Sequence, residues 1–446
     1  MKHPKSLLGL TAALVLASMP AFGQDAAPAA EAPAFAPVAD TAYIFNTLLF
    51  LMGGFLVMWM AAGFAMLEAG LVRTKNVSMQ CLKNIALYAV AGIMFWITGY
   101  KLMYVGVDGG YMGSFGPYSF DPVGGNALDT GYSTASDWFF QMVFCATTAS
   151  IVSGTLAERI KLWPFLIFTV ILTGILYPIT GSWQWGAGWL SEMGFSDFAG
   201  STLVHSVGGW AALSGALILG ARKGKYGPNG QINAIPGSSM PLATLGTFIL
   251  WLGWFGFNGA SQLAMGTIGD VSDVSRIFAN TNLAACGGVV AAMILTQILY
   301  KKVDVTMALN GALAGLVSIT AEPLMPSPLL SIVIGAIGGI IVVITVPMFD
   351  KMKIDDVVGA LPVHLLCGIW GTIAVPISND GTSFATQATG IAAIGIFTLV
   401  ASGIVWMVLK VTVGIRVSEE EEAMGLDQAE IGVEAYPEFG VGSARL

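Results

Sequence analysis

The sequence predicts an all-α protein that crosses a membrane many times. Of its 446 residues, 55% are hydrophobic and only 10% are charged, against roughly 25% charged residues in an ordinary soluble domain. Apolar stretches of about 20 residues, each long enough to span a bilayer, recur along most of the chain. Basic residues are concentrated in every second segment between these stretches, which is a third indication of the same fold class.

We count eleven candidate spans, with approximate boundaries. They cover residues 43–71, 81–104, 138–158, 162–181, 200–221, 239–261, 278–300, 306–321, 328–348, 359–377 and 387–413. Their number and length predict a polytopic helical membrane protein in the lipid bilayer.

The N-terminus has the pattern of a secretory signal peptide. Two lysines precede an apolar run from Leu7 to Met19 and a small-residue cleavage site at Ala21-Phe22-Gly23. A cleaved signal places the mature N-terminus outside, and an odd number of spans then places the C-terminus inside. The expected organisation is a signal peptide (1–23), a flexible leader (24–40), a membrane domain (41–416) and a cytoplasmic tail (417–446).

The charged residues test this topology independently. Basic residues should be concentrated in cytoplasmic segments. Those that lie in or beside the segments expected inside are Arg73, Lys75, Lys83, Arg159, Lys161, Arg222, Lys223, Lys225, Lys301, Lys302, Lys351, Lys353 and Arg416. Among the outer loops only Arg276 is basic, although Lys101, near the outer end of the second span, fits less well. Those loops instead carry acidic residues, Asp121 and Asp129 among them.

The mature chain contains only two histidines, His205 and His364. Both lie in the middle of predicted spans, where an ionisable group is costly and by default marks a site or a pathway. Both follow a valine and precede, by four residues, a glycine with a tryptophan close behind. This similarity indicates an internal repeat.

The repeat has a definite predicted polarity. Five spans precede the loop near residues 227–236, and five more follow it before the eleventh. An odd-numbered half that is repeated must insert with opposite orientation, so we expect two inverted five-helix repeats plus an eleventh helix. His205 on span 5 and His364 on span 10 should then meet near the midplane.

Three interpretations of the histidine pair remain open on these grounds. The two side chains are buried groups that bond a neighbouring helix, or two axial ligands of a haem, or a polar step in an otherwise apolar pore. The four cysteines have no metal-type spacing, so we expect no disulfide or zinc framework, no metal and no cofactor.

Several aromatic and hydroxyl side chains are further candidates. Phe140 and Phe144 are one helical turn apart, as are Phe257 and Ser261. Core packing alone explains such pairs, and a hydroxyl can simply bond its own helix. Trp185 lies in an outer loop, where an interfacial anchor is the ordinary role.

Asp197 immediately precedes span 5. It can cap the helix, since an anion is favoured at a helix N-terminus, and it can attract a cation toward the outer mouth. The net charge of −8 agrees with a cationic substrate without requiring one, because acids of the soluble tail contribute much of it.

Together these segments resemble the ammonium transporter family (Amt/MEP/Rh), from about span 1 to Tyr436. The matching motifs are Asp197-Phe-Ala-Gly-Ser-Thr-Leu-Val-His205 through Arg222, Leu156-Ala-Glu-Arg159, Gly253-Trp-Phe-Gly-Phe-Asn258, Asn310-Gly-Ala-Leu-Ala-Gly-Leu316, and Val363-His364 with Cys367-Gly368.

The resemblance implies roles for individual residues. Phe144, Trp185 and Ser261 match the outer recruitment site for ammonium, with Asp197 as its structural or electrostatic aspartate. Phe144 and Phe257 match the stacked phenyl gate, beside which we place Phe140. His205 and His364 match the twin histidines of the pore.

It also implies a function and partners. We expect a transporter of ammonium, ammonia and methylammonium in a bacterial inner membrane, a homotrimer that is not an enzyme and binds no nucleic acid. Its cytoplasmic tail would be regulatory and would meet a PII-type signalling protein, although Ile431 stands where the family often has histidine.

Three alternatives accompany this expectation. One is an ammonium sensor of the same fold, which would be expected to carry a signalling domain. Another is a bis-histidine haem protein. The third is a transporter of a neutral solute such as urea, which would not need cation-binding aromatic residues.

Overall fold

The computed structural model describes residues 39–120 and 131–438. The expected signal peptide, nearly all of the leader, Asp121, Asp129 and the last eight residues of the tail lie outside these ranges.

Eleven helices form the membrane domain within the described residues. Eight are long and apolar enough to span a membrane, two more are shorter and apolar, and the helix Thr134–Thr155 is the eleventh. They are α1 (Ala39–Leu71), α2 (Thr74–Tyr104), α3 (Thr134–Thr155), α4 (Leu162–Ser182), α5 (Ser201–Leu219), α6 (Met240–Gln262), α7 (Ile268–Tyr300), α8 (Val305–Ile319), α9 (Pro328–Lys351), α10 (Leu361–Ile377) and α11 (Phe384–Thr412). Every predicted span corresponds to one of these helices, so the predicted all-α, eleven-helix fold is confirmed.

Side-chain caps begin several of the helices. Thr267 and Asp270 form a reciprocal capping box at the start of α7. The Asp304 carboxylate accepts hydrogen bonds from the first backbone N–H groups of α8, and Ser327 caps α9 just before Pro328. These contacts satisfy N–H groups that have no partner inside the helix.

Glycines allow α7, α8 and α9 to pack closely. A Cβ atom added to Gly335 on α9 would collide with the backbone of Ala284 on α7, and one added to Gly339 would collide with the backbone of Gly288. On α8, a Cβ atom at Gly311 would lie only 2.7 Å from the Gly288 carbonyl oxygen. Because lipid provides no hydrophobic driving force between helices, the close van der Waals packing that small residues allow stabilises these crossings.

The helix α3 lies at the centre of the bundle. All its residues from Phe140 to Thr155 are buried. Because every face of this stretch contacts protein, its side chains can line an internal pathway but cannot face lipid.

Arginine side chains join the helix ends on one face of the bundle, which we call the basic face. It is defined by Arg73, Arg159, Arg222 and Arg416. Arg222 donates to Asp355 at 2.8 and 2.9 Å, and Arg159 donates to the Asp355 carbonyl at 2.7 Å. The buried Glu158 carboxylate binds Arg73.

The described part of the tail, residues 417–438, packs on this face. It contains two short helices, Glu419–Met424 and Asp427–Ile431. The Asp427 carboxylate accepts from the Met79 backbone N–H at 2.8 Å, and Glu430 accepts from the Leu162 N–H at 3.0 Å. The tail thus supplies hydrogen-bond acceptors to the first turns of α2 and α4.

Candidate functional site

The two histidines meet inside the bundle. The Nδ1 atoms of His205 and His364 lie 3.2 Å apart, and the ring centroids are 5.2 Å apart with an interplanar angle of 22°. Both side chains are buried, and Nε2 of His205 has no hydrogen-bond partner among the described residues. Because only one of the two facing nitrogens can carry the shared hydrogen, one ring donates and the other accepts.

The same spacing of aspartate, glycine and histidine occurs at the start of both histidine-bearing helices. The sequence analysis did not identify this repeated spacing. Asp197 stands three residues before Gly200 and eight before the first histidine; Asp356 stands three before Gly359 and eight before the second. Both glycines have positive φ angles, 104° and 78°, a conformation that favours glycine. The pattern Asp-x-x-Gly-x-x-x-x-His was therefore a readable signal of equivalent helix starts in the two halves.

The two helices that carry the histidines, α5 and α10, both begin with a widened turn. The first turns of α5 and α10 are π-helical over Ser201–Ser206 and Leu361–Leu366. At the first, the His205 N–H donates to the Gly200 carbonyl five residues earlier, at 3.0 Å. Such bulges widen a helix and occur frequently at functional sites.

The Asp197 carboxylate holds the start of α5. Each of its oxygens accepts two backbone N–H groups, at 2.8–3.0 Å, within the segment from Gly200 to Leu203. Its side chain is fully buried. The geometry therefore favours the capping role over direct contact with a cation. At α10 the equivalent Asp356 carboxylate accepts from the Leu361 N–H at 2.7 Å.

Two phenyl rings stack on each other beside the first histidine. Phe144 and Phe257 are stacked, with centroids 4.0 Å apart and an interplanar angle of 24°. Phe140 lies 4.8 Å from Phe144, edge to face, and Phe257 lies 5.3 Å from the His205 ring. All three phenylalanines are buried, so their rings fill the space between Trp185 and His205.

Trp185 and Ser261 lie next to the stacked phenyl rings, with Trp185 against Phe144 and Ser261 one helical turn after Phe257. The indole of Trp185 is 6.0 Å from the Phe144 ring at an angle of 83°, and its Nε1 donates to the Asp197 carbonyl at 2.9 Å. The Ser261 hydroxyl donates to the Phe257 carbonyl one turn earlier at 2.7 Å, which leaves its oxygen lone pairs as acceptors. Both side chains are half-buried.

The site includes aromatic residues to which the sequence analysis gave no role. Trp254 stacks on His205 with centroids 4.9 Å apart, and its Nε1 donates to the Thr320 hydroxyl at 2.8 Å. Phe64 lies 6.1 Å from the His364 ring. The spacing of Trp254 three residues before Phe257 was a signal that both face one side of α6.

This geometry disagrees with one of the three interpretations of the histidines. With the two Nδ1 atoms in hydrogen-bond contact, no porphyrin plane fits between them, so the haem interpretation does not agree with the structure. The described cysteines are free, and within the described ranges no group of His, Cys, Asp and Glu could hold a metal ion. The contacts agree with a polar step in an apolar pathway and also with two buried groups that bond across neighbouring helices.

Comparison with known proteins agrees with this arrangement. The model of the ammonium transporter family matches residues 48–436. The chain is 44% identical over 420 residues to the ammonium transporter Amt2 of Archaeoglobus fulgidus, covering 87% of each chain. It is 40% identical over 403 residues to a putative ammonium transporter of Synechocystis, covering 89% of this chain and 90% of the relative.

Solved structures share the fold. A sensor Amt protein superposes with a TM-score of 0.82 at 35% identity, covering 88% of this chain and all of that chain. Mep2 of Candida albicans gives a TM-score of 0.77 at 26% identity, covering 90% of this chain and 92% of Mep2. The chain therefore belongs to the ammonium transporter family, as an integral membrane protein that transports ammonium and is not an enzyme.

Proposed function

We propose that this transporter recruits ammonium beside Trp185 and Ser261, removes its proton near Phe144 and Phe257, and conducts ammonia past the two histidines toward the basic face. The observation that carries the proposal is the unbroken order of contacts from Trp185 through the stacked phenyl rings to the histidine pair. The same path should accept methylammonium.

The outer site must replace the water of a small, strongly solvated cation. Aromatic faces at Trp185 and Phe144 offer cation–π attraction of roughly 0.5–2 kcal/mol, and the Ser261 oxygen offers a hydrogen-bond acceptor. Potassium has similar size and charge, so this site alone cannot exclude it. Ammonium and potassium must therefore be discriminated further along the pathway, at a step where ammonium releases a proton and potassium cannot.

Asp197 acts in this proposal as a positioning residue. Its carboxylate holds the first turn of α5, and its carbonyl oxygen holds the Trp185 indole at 2.9 Å. It therefore links the mouth to the helix that carries His205. Its charge can add a long-range attraction for cations, screened by the four N–H groups that it accepts.

Orientation follows from charge. Because cytoplasmic segments of bacterial membrane proteins carry the excess of Lys and Arg, the basic face is the cytoplasmic face and Trp185 faces outward. A reporter fused after Arg416 should be active only in its cytoplasmic form, and one fused within residues 109–129 only in its exported form. The opposite pattern would reverse the proposed direction of the pathway.

Assembly as a homotrimer is supported by the resemblance to the family. Large apolar side chains such as Phe55, Trp59 and Phe248 are more than half exposed, at 54%, 54% and 62%, and lipid or a neighbouring protomer must cover them. The mass of the purified protein in detergent, measured by light scattering, tests the proposal: three copies support it, and one or two copies contradict it.

We also propose that the tail is regulatory and presents a surface to a PII-type signalling protein. In support, Lys75 Nζ donates to the Ala423 carbonyl at 2.6 Å, and the Lys223 N–H donates to Glu422 at 2.6 Å. The tail thus contacts both the start of α2 and the segment that follows α5 on the basic face. Movement of the tail would alter the inner ends of the helices that line the pathway.

A proteoliposome experiment tests the function as a whole. Vesicles containing the protein should take up methylammonium and ammonium, with no flux when potassium replaces them. The structural likeness to a sensor Amt protein makes sensing the main competing function. Ammonium binding to the purified protein without uptake into vesicles would favour the sensor and overturn the transport proposal.

A further inference from the structure

A buried carboxylate lies on the basic-face side of the histidine pair. Glu68 is one helical turn after Phe64 on α1, and its side chain is almost completely buried. One of its oxygens, Oε2, accepts hydrogen bonds from Gln80 at 2.6 Å, Asn84 at 2.8 Å and the Ser153 hydroxyl at 2.8 Å. Three neutral donors thus fix the carboxylate in one orientation.

The other oxygen, Oε1, has no hydrogen-bond partner among the described residues. Glu68 lines a narrow cavity that is also lined by His364, Val363 and Leu313. The cavity has room for about one molecule of the size of water or ammonia. Because a buried acceptor normally has a partner, this oxygen is suited to a small N–H or O–H donor that comes from the histidine pair.

The charges around Glu68 suit a group that gains and loses a proton. Lys83 on α2 is also buried; its Nζ donates to the Ser153 carbonyl at 2.9 Å and lies 5.0 Å above the Phe165 ring. Other titratable groups on adjacent elements are His364 across the cavity, the half-buried thiol of Cys81, and Asp356, which caps α10 beside the cavity-lining Val358 and Gly359. Arg159 also lies near Lys83 and is bound to backbone carbonyl groups, that of Asp355 among them. One nearby cation reduces the cost of a buried negative charge without forming a direct ion pair that would hold it permanently.

We propose that Glu68 is the proton donor of an exit site, where ammonia that has passed His364 becomes ammonium again. This inference rests on the proposed pore. The nitrogen lone pair of ammonia takes the proton of the Glu68 carboxyl group, so that an N–H bond forms and the O–H bond breaks. The carboxylate holds the resulting ammonium ion until it leaves toward the basic face. A hydronium ion from the water on that side then restores the carboxyl group.

The test measures methylammonium uptake into proteoliposomes at several values of pH on the basic-face side. Glu68→Gln keeps an oxygen for the three donors but cannot give a proton, so uptake should fall by about 100-fold and lose its dependence on that pH. Glu68→Asp keeps a carboxylic acid and should therefore retain part of the uptake and part of its pH dependence. Glu322→Gln removes another buried carboxylate, one held by Asn379 at 2.6 Å and the N–H groups of Leu324 and Met325, and should transport like the wild type.

A second variant reaches the same site without changing Glu68. A Cβ atom at Gly154 would lie 3.3 Å from Glu68 Oε1 and 2.6 Å from a methyl carbon of Val358. Gly154→Ala should therefore obstruct the cavity and reduce uptake strongly while the carboxyl group remains, which keeps the proposal testable even if Glu68→Gln fails to fold.

The outcomes separate two failures. Absence of uptake by the wild type would overturn the proposed function and this inference with it. Normal uptake with unchanged pH dependence in Glu68→Gln, or normal uptake in Gly154→Ala, beside an active wild type would overturn the exit site alone.

Discussion

His205 and His364 face each other through their Nδ1 atoms at 3.2 Å. If both rings were protonated, two N–H donors would point at each other at hydrogen-bond distance, which is unfavourable in an apolar pore. The contact therefore joins one donor and one acceptor, and burial in an apolar surrounding disfavours a positive charge on either ring. Such a pair offers hydrogen bonds to ammonia but nothing that could replace the water around a potassium ion.

The proposed recruitment site should depend on the aromatic face of Trp185. Trp185→Leu removes the aromatic face for which we propose a cation–π contact, worth roughly 0.5–2 kcal/mol, so methylammonium should bind more weakly or selectivity should loosen while the fold is kept. Trp185→Phe retains an aromatic face but loses the hydrogen bond to the Asp197 carbonyl, and should have an intermediate effect. The concentration dependence of methylammonium uptake gives the apparent affinity of the wild type and of the two variants. Equal affinities in these three proteins would contradict recruitment at this site.

Asp197 should matter more for the fold than for attraction of the cation. Asp197→Ala leaves four backbone N–H groups of buried residues without their acceptor, and each unsatisfied buried group costs about 1–3 kcal/mol. Asp197→Asn keeps one oxygen acceptor and should lose less. Thermal unfolding in detergent should rank wild type above Asn above Ala. Unchanged stability of the Ala variant would show that the carboxylate does not hold the start of α5.

The basic face should be sensitive to acid. Burial alone would raise the pKa of Asp355, but the hydrogen bonds from Arg222 and the charges of Arg159 and Arg222 lower it well below its usual value. A group whose pKa is lower in the folded state stabilises the fold above its unfolded pKa of about 3.9, and this stability is lost as the pH falls below that value. Melting temperatures of the wild type should therefore decrease from about pH 5 downward.

Asp355→Asn identifies the source of that decrease. It breaks a buried ion pair, which costs about 3–5 kcal/mol, and should give a lower melting temperature that varies less with acid. Asp380→Asn, at an exposed position, serves as the control and should melt like the wild type. If Asp355→Asn kept the full acid dependence, other carboxylates would be responsible.

Deletion of residues 418–446 should leave the protein inserted in the membrane but reduce or deregulate its transport. The described part of this segment supplies acceptors to the N–H groups of Met79 and Leu162, so the ends of α2 and α4 at the basic face should loosen. Glu420→Gln, at an exposed position, provides a matched control. Unchanged transport rates of the truncated protein in the presence of a cognate PII-type protein would argue against a regulatory tail.

The eleven helices could be predicted because span length and apolarity are local properties of the chain. Even α3, which carries Asp137 and several serine and threonine residues, was predicted, since apolar residues such as Phe140 and Phe144 recur along it. The meeting of the histidines was also predictable, because two similar frames at equivalent positions of inverted halves come together at the repeat axis.

Other parts of the site could not be derived from local pattern. The hydrogen bond at 2.6 Å between Thr202 and Thr372 joins α5 to α10, and Trp254 covers His205 from α6. Glu68 lies in an otherwise apolar span, and its partners come from α2 and α3. These contacts depend on how helices cross, which the 3.6-residue period of any one helix does not specify.

The ion selectivity of histidine variants tests the central claim most directly. Currents and uptake should be measured in proteoliposomes with ammonium and with potassium, for the wild type, His205→Asp, His364→Asp and the double alanine variant. We expect the wild type to exclude potassium and each aspartate variant to admit it, because a fixed negative acceptor can replace the water of a bare cation. The double alanine variant should lose proton-coupled ammonium transport while remaining assembled. Potassium exclusion that survived all of these substitutions would contradict the account and would place selectivity at the phenyl rings of Phe144 and Phe257.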